Sequence, residues 1–484
     1  MDSQNKIIQG FVVFIILLIA LVLSINTLDL EVKYQLGILA SIVVVTIIFL
    51  VYKKLPFDFK LLNLILLGYA IGGKGFAYLT PFEPVYIGEI TITVCLVGYF
   101  IRGGLKESLK THLHVLIATW MITVGIYLVF SFNEYKMFAI RDSAIGYYAV
   151  FFFFAFATFQ KEIYVTAFKK TLKWCLALGY ISCLFIVSGV FSEYLANIEY
   201  LRSVFYPHPD AFIPLVAAGA VYGTIQGLQK RSILFILFGF IGVLLLLMTK
   251  TAGIFCLGST MLLLLIFTKR FELVFVGIFA SLILAIVLGF VAVYDSYFFE
   301  NTIMRSDQVQ TLVDVGNASS QGNASTTDWR ITWWTVITND TMQTGPMFGS
   351  GMGSDLTTHF LQELFGTQGV KDAATYARYP HCIIFNVFGR MGFVGLAVFL
   401  IMFIALLRFC ILFTRKQLSY RIIDSGDLIA LSIFFSGIMD SLVQATYEVP
   451  HGAITNWVCL GYLAAGYYRK TNQTVPEKEV GILQ

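Results

Sequence analysis

Runs of 17 to 23 mostly apolar residues recur along the chain, each bounded by charges or by Gly and Pro. They fall near 7–28, 35–52, 61–79, 84–101, 113–131, 143–160, 172–192, 211–227, 232–249, 251–268, 273–294, 391–413, 427–447 and 452–468. About 20 apolar residues wound as a helix span the hydrocarbon core of a bilayer, so the pattern predicts about 14 transmembrane helices. The strict apolar/polar alternation of a membrane β-barrel is absent, which makes the expected fold class all-α and polytopic. The first run is too long for the apolar segment of a signal peptide and no small-residue cleavage site follows it, so it is expected to stay as a membrane helix.

The polar segments set the expected topology. Numbering the loops in order, the amino terminus, the even-numbered loops and the carboxyl tail hold 22 Lys and Arg, against 10 in the odd-numbered loops. The positive-inside rule then puts both termini in the cytoplasm. One odd loop, 295–380, is far longer than the rest and is expected outside the membrane, between spans 11 and 12. The expected organisation is helices 1–11 over 1–294, the large periplasmic or extracellular loop over 295–380, helices 12–14 over 381–470, and a cytoplasmic tail over 471–484. Within the loop, Gln308–Thr327 is small, polar and poor in charge, like a flexible flap. Asp328–Asn339 has helical character and carries Trp329, Trp333 and Trp334, and Gly345–Ser354 (GPMFGSGMGS) is a glycine-punctuated turn.

Composition narrows the function classes. With 58% hydrophobic and 13% charged residues among 484, the chain holds more apolar surface than a soluble core can bury. The net charge of +4 comes without a basic tract, so no nucleic-acid partner is expected. The seven cysteines show no CxxC or Cys/His metal spacing and read as small apolar residues of the membrane core.

Candidate chemistry gathers outside the predicted membrane. His381, in Pro380-His381-Cys382, stands where the long loop enters an apolar segment bearing Gly389, Gly392 and Gly395. A neutral imidazole there can take a proton from a hydroxyl, although an interfacial His that only caps a helix is the bland alternative. Arg141, Arg202, Lys250, Arg305, Arg330 and Arg378 lie on the side that the positive-inside bias depletes of cations. Guanidinium groups there suit the oxygens of a lipid diphosphate, and snorkelling to lipid head groups is the competing account. Gly349, Gly351 and Gly353 read as a backbone turn rather than a nucleotide loop, for lack of a flanking strand and helix. His359 and Glu363 lack the HExxH pattern of a zinc site. Asn317, Asn323 and Asn339 match a glycosylation sequon that Ser/Thr-rich loops produce often by chance. Glu89 and Asp440 are scattered carboxylates inside predicted spans.

Taken in order, these features resemble the O-antigen polymerase and O-antigen ligase superfamily of bacterial membrane glycosyltransferases. The resemblance rests on Arg330 followed by Trp333 or Trp334, then Pro346-Met347-Phe348-Gly349-Ser350-Gly351, then His381, then Gly392 with Gly395. Arg202 ahead of Pro209-Asp210 is similar to the family's Arg before a Pro-Asn step. Two positions depart from the pattern. Thr251-Ala252-Gly253 lacks the Arg of the family's Ser-Arg-Gly, leaving Lys250 to stand in, and His381-Cys382 replaces a His-Asn pair.

The resemblance implies a GT-C-like membrane fold in the bacterial inner membrane. It also implies a metal-independent, inverting transfer from an undecaprenyl-diphosphate-linked oligosaccharide, with no cofactor. His381 would be the catalytic base, Arg202, Arg330, Lys250 and Arg141 would hold the diphosphate, and Trp333 and Trp334 would contact sugar. The span count and Arg141-Asp142 look more like a polymerase joining repeat units, with a chain-length regulator as a possible partner. The alternatives are a ligase transferring glycan to lipid A core and, from another class, a flippase for lipid-linked oligosaccharides. A flippase would be expected to show pseudo-symmetric halves around a polar cavity.

Overall fold

The computed structural model describes residues 55–79, 85–101, 104, 110–187, 209–247, 251–268, 326–365, 380–419 and 424–473. Predicted spans 1, 2 and 11 therefore lie outside the described residues, as does the flap expected at 308–327 except for its last two residues, which open α11. What is described is helical, with no strand among the described residues. The helices are α1 (Phe57–Ala77), α2 (Ile87–Ile101), α3 (His112–Tyr135), α4 (Met137–Asp142), α5 (Ala144–Tyr147), α6 (Val150–Thr158), α7 (Glu162–Val187), α8 (Ile213–Lys230), α9 (Ile233–Leu247), α10 (Thr251–Thr268), α11 (Thr326–Thr344), α12 (Thr358–Phe365), α13 (Ile383–Ser419), α14 (Ser425–Asp440) and α15 (Pro450–Gln473). Among the described residues, four stretches are long and apolar enough to cross a membrane: α3, the α4–α6 run from Met137 to Thr158, α7, and α13 from Ile383 to Arg415.

The bundle has a wet end, a dry middle and two central helices. α14 is buried on nearly every face from Gly426 to Ile438, and α8 from Ile213 to Gly223. A helix that is apolar all round must be enclosed by others, and α8 packs on α7, α9, α10 and α14. Its Gly219, Gly223 and Gly227 recur every four residues along one face. A methyl on Gly223 would come within 2.4 Å of the Gly239 backbone nitrogen, so the α8–α9 contact is made backbone to backbone. α3 and α13 instead turn Val115, Ile122, Ile126, Val129, Phe130, Phe393, Ile401 and Ile404 outward, as helices at a lipid boundary do. All seven cysteines are buried thiols.

At one end, Lys169 pairs with Asp424 at 3.1 Å, Arg469 with Glu162 at 2.7 Å, and Lys470 with Asp427 at 3.3 Å. Asp424 also caps α14 by accepting from the Gly426 and Asp427 amides. The other end collects the carboxyl ends of α1, α3 and α14, the amino ends of α2, α13 and α15, and the loop helices α11 and α12. The polar residues considered below lie there.

Several helices differ from their apolar runs: α7 begins at Glu162 rather than 172, and α14 ends at Asp440 rather than 447. The run at 143–160 is broken into α5 and α6, with α4 just ahead of it, and Trp120 Nε1 donates to the Ile145 carbonyl at 3.1 Å. Hydropathy cannot register such a break, because tertiary hydrogen bonds cover the freed backbone groups. The span expected to begin at 391 begins at 383 and is kinked at Gly392, where φ is 58° and ψ is −159°.

Candidate functional site

The kink in α13 is where the glycine turn docks. An undisturbed helix would bond the amides of Phe393 and Val394 to the carbonyls of Gly389 and Arg390. Here those carbonyls accept from Ser350 N and Gly351 N, both at 2.9 Å. The freed amides of Phe393 and Val394 donate to Pro346 O at 2.9 Å and Met347 O at 3.1 Å. The turn is thus spliced into the helix by four backbone hydrogen bonds. Both partners must be glycine at the crossing point. A methyl on Gly349 would lie 2.5 Å from the Arg390 carbonyl carbon, and one on Gly392 would lie 2.5 Å from that of Met347. Gly349, Gly351 and Gly353 all have positive φ, which follows from the same tight turn. Ser131 Oγ accepts from the Met352 amide at 2.9 Å, and Tyr135 donates to Ser350 O at 3.2 Å, fixing the turn on α3 as well.

Ahead of the kink, His381 occupies the left-handed region at φ 50°. A non-glycine residue keeps that conformation only where its surroundings impose it, and here α11 does so. Trp334 donates its indole N–H to Pro380 O at 2.8 Å and stacks on Phe385 at 4.9 Å. Trp333 stands edge-on to the His381 ring at 6.1 Å between centroids, stacks on Phe360 at 4.9 Å, and donates to Leu356 O at 2.6 Å. The Ile383 amide donates to Ser441 O at 2.9 Å, tying the same turn to the end of α14. Arg330 lies one helical turn before these tryptophans on α11, half-buried, and its charge reaches the Cys382 thiol.

Of the residues singled out in the sequence, the structure therefore gathers Arg330, Trp333, Trp334 and His381 at one junction. Trp333 is 1% exposed, and its contacts are those of a packing residue that holds the His381 turn; Trp334 is only partly buried. Arg141 lies at the same end, at the close of α4, and donates to the Tyr78 hydroxyl. Arg202, Lys250, Arg305 and Arg378 lie outside the described residues. His359 stands apart on α12, with Nδ1 2.9 Å from Asp340 on α11. Asp440 is held internally, accepting from Thr446 and from Cys256 Sγ.

Beneath the junction runs a polar chain that sequence reading did not assemble. Arg390, 1% exposed, pairs with the buried carboxylate of Asp142 and donates Nε to Asn386 Oδ1 at 2.7 Å. Asn386 in turn donates to Glu448, which is 4% exposed in the turn between α14 and α15. Burial pushes the Glu448 carboxyl up to about 7, with the Asn386 donor and the Arg390 charge opposing it. The chain thus joins α4, α13 and the 441–449 turn by groups that cannot be left unpaired cheaply.

The motifs spliced together here also define a family. Residues 233–400 match the family model described as O-antigen ligase. Over that stretch the chain is similar to the O-antigen ligase family. That stretch runs from α9 into the first half of α13 and includes Arg330, the tryptophan pair, the glycine turn, His381 and Gly392. The O-antigen ligase and polymerase superfamily inferred from these motifs is the one matched, and a glycosyl-transferring enzyme of the membrane follows as its activity class. The match lends no support to a flippase. No curated protein matches the chain. Asn386 and Arg390 on α13 lie within the matched stretch, while their partners Glu448 and Asp142 lie outside it.

Proposed function

We propose that this protein polymerises undecaprenyl-diphosphate-linked oligosaccharide repeat units at the outer face of the bacterial inner membrane, with both termini cytoplasmic. The observation that carries the reading is the junction at which α11 brings Arg330 and two tryptophans onto the strained His381 turn, inside the stretch similar to the O-antigen ligase family. In the reaction, the bond between the donor's anomeric carbon and its diphosphate oxygen breaks while an acceptor sugar oxygen forms a new bond to that carbon from the opposite face. The configuration inverts, His381 takes the acceptor's proton, and polyprenyl diphosphate leaves.

Negative charge builds on the departing diphosphate, so fixed cations aimed at it supply the largest share of transition-state stabilisation. Arg330 is assigned that role with Arg202, Lys250 and Arg141, and no metal or cofactor enters the scheme. Trp334, partly exposed beside Pro380, offers an aromatic face to a sugar. The Arg141-Asp142 pair in the sequence and the expected count of about 14 spans favour the polymerase. The family description favours the ligase as the second reading, in which the acceptor is lipid A core. A glycan-length profile from cells lacking the protein separates them: single repeats on the lipid support polymerase, and long chains left on the lipid support ligase. A chain-length regulator would be the partner of the polymerase alone.

A further inference from the structure

A second polar cluster lies at the same end of the bundle, away from the His381 turn. Glu89, in the first turn of α2, accepts through Oε1 from the Tyr147 hydroxyl at 2.9 Å and the Tyr148 hydroxyl at 2.8 Å. Its other oxygen, Oε2, is shielded and has no hydrogen-bond partner among the described residues. The Tyr69 hydroxyl on α1 is in the same condition, and Tyr69 is 3% exposed. Glu89 is near enough for its charge to act on that hydroxyl, and the Tyr69 ring meets His451 edge-on at 6.5 Å. The Tyr78–Tyr86 ring pair, 5.4 Å between centroids, lies alongside. The start of α2 packs directly on the first turn of α15: a methyl on Gly88 would lie 3.2 Å from both Pro450 Cβ and Tyr148 Oη.

An unpartnered buried polar atom is costly, and here a shielded carboxylate oxygen and a shielded phenol are left so together. The carboxylate can only accept, whereas the phenol can donate. A cation would satisfy the carboxylate and leave the phenol hydrogen without an acceptor. A hydroxyl group satisfies both, by donating to Glu89 and accepting from Tyr69. The surrounding tyrosine rings suit the apolar face of a pyranose that carries such a hydroxyl. We propose that Glu89, Tyr69, Tyr147 and Tyr148 form a saccharide subsite that holds a hydroxylated sugar ring of the glycan substrate. It rests on the glycan-transfer reading, and it assigns to the first half of the chain a share of substrate recognition beyond the stretch matched to the family.

The test uses the full chain in detergent. Its probe is the oligosaccharide released by mild acid from the lipid-linked repeats that accumulate in cells lacking the protein. Binding is followed by calorimetry for wild type, Glu89→Gln, Tyr69→Phe and His381→Asn, with the unfolding temperature of each. Wild type and His381→Asn are expected to bind alike, Glu89→Gln to bind about 10- to 100-fold more weakly, as for loss of a charge-assisted contact, and Tyr69→Phe about 3- to 10-fold more weakly, as for loss of a neutral one. Because the Tyr69 hydroxyl has no partner among the described residues, its removal should leave the unfolding temperature unchanged or raised, which separates loss of binding from loss of fold. Wild-type affinity in both variants, or no saturable binding by wild type, overturns the subsite. Failure of the catalytic reading looks different: His381→Asn would transfer glycan normally while the binding results stood.

Discussion

Replacing Gly392 by alanine should undock the glycine turn from α13, and the structure sets the size of the effect. At φ 58° and ψ −159° the residue occupies a region open essentially to glycine alone, so any side chain costs about 1–3 kcal/mol in backbone strain. The added methyl would also lie 2.5 Å from Met347 C and 2.6 Å from both Gly349 N and Met347 O, which are backbone atoms that cannot rotate away. Relief requires separating the turn from the helix and giving up the four hydrogen bonds at the splice, about 1 kcal/mol each. The expected penalty is about 4 kcal/mol or more, expressed as local undocking of residues 345–354. The assay is limited proteolysis of that segment in detergent, with thermal unfolding alongside. Gly125→Ala, in α3 with no other atom within 4 Å of its added methyl, is the control that should gain helix stability. Gly349→Ala breaks the same splice, so the double variant should cost far less than the two singles together. Unchanged protease resistance and glycan transfer in Gly392→Ala would refute the splice as the element that positions the His381 helix.

Three further outcomes follow from the polar chain and its cations. Arg390→Ala or Asp142→Ala should each cost about 3–5 kcal/mol in chemical unfolding, because each strands a buried charge, whereas Arg390→Met with Asp142→Leu should recover most of the loss. Glu448 has an ordinary value of 4.5 and about 7 in the folded protein, so the native state binds more protons between those limits and stability falls as pH rises from about 4.5 to 7. Glu448→Gln should flatten that slope in unfolding temperature measured across pH, and an unchanged slope would show that another group carries it. Arg330→Ala should lower glycan transfer about 10- to 100-fold in purified protein, with Arg330→Lys rescuing only part, since an ammonium lacks the bidentate fork.

Local patterns in the sequence located much of the junction, because a residue's neighbours in the chain placed it. Arg330, Trp333 and Trp334 sit within five positions on one helix, and Pro380-His381 leads into α13. The glycine turn and Gly392 were visible as separate motifs, but their shared purpose was not, since backbone pairing between positions about 40 apart leaves no trace in composition. The Asp142–Arg390 pair and the Asn386–Glu448 bond span 248 and 62 positions. Their partners look alone in sequence, which is why neither Glu448 nor Arg390 stands out in it. Glu89 was noticed for its charge, but its meaning depends on three tyrosines from α1, α5 and the turn that follows α5. The break at 142–149 was masked because every residue from Ala144 to Ala149 is apolar, aromatic or glycine, and only Arg141-Asp142-Ser143 hints at it.

The central claim is that His381 is the base of a glycan transfer, and single-turnover transfer from a lipid-diphosphate-linked oligosaccharide by purified protein tests it most directly. Asparagine is the substitution of choice, because it tolerates positive φ and removes only the titrating nitrogen. The account predicts that His381→Asn loses about 10² to 10⁴ in rate with donor binding unchanged. Transfer by folded His381→Asn at the wild-type rate would contradict it.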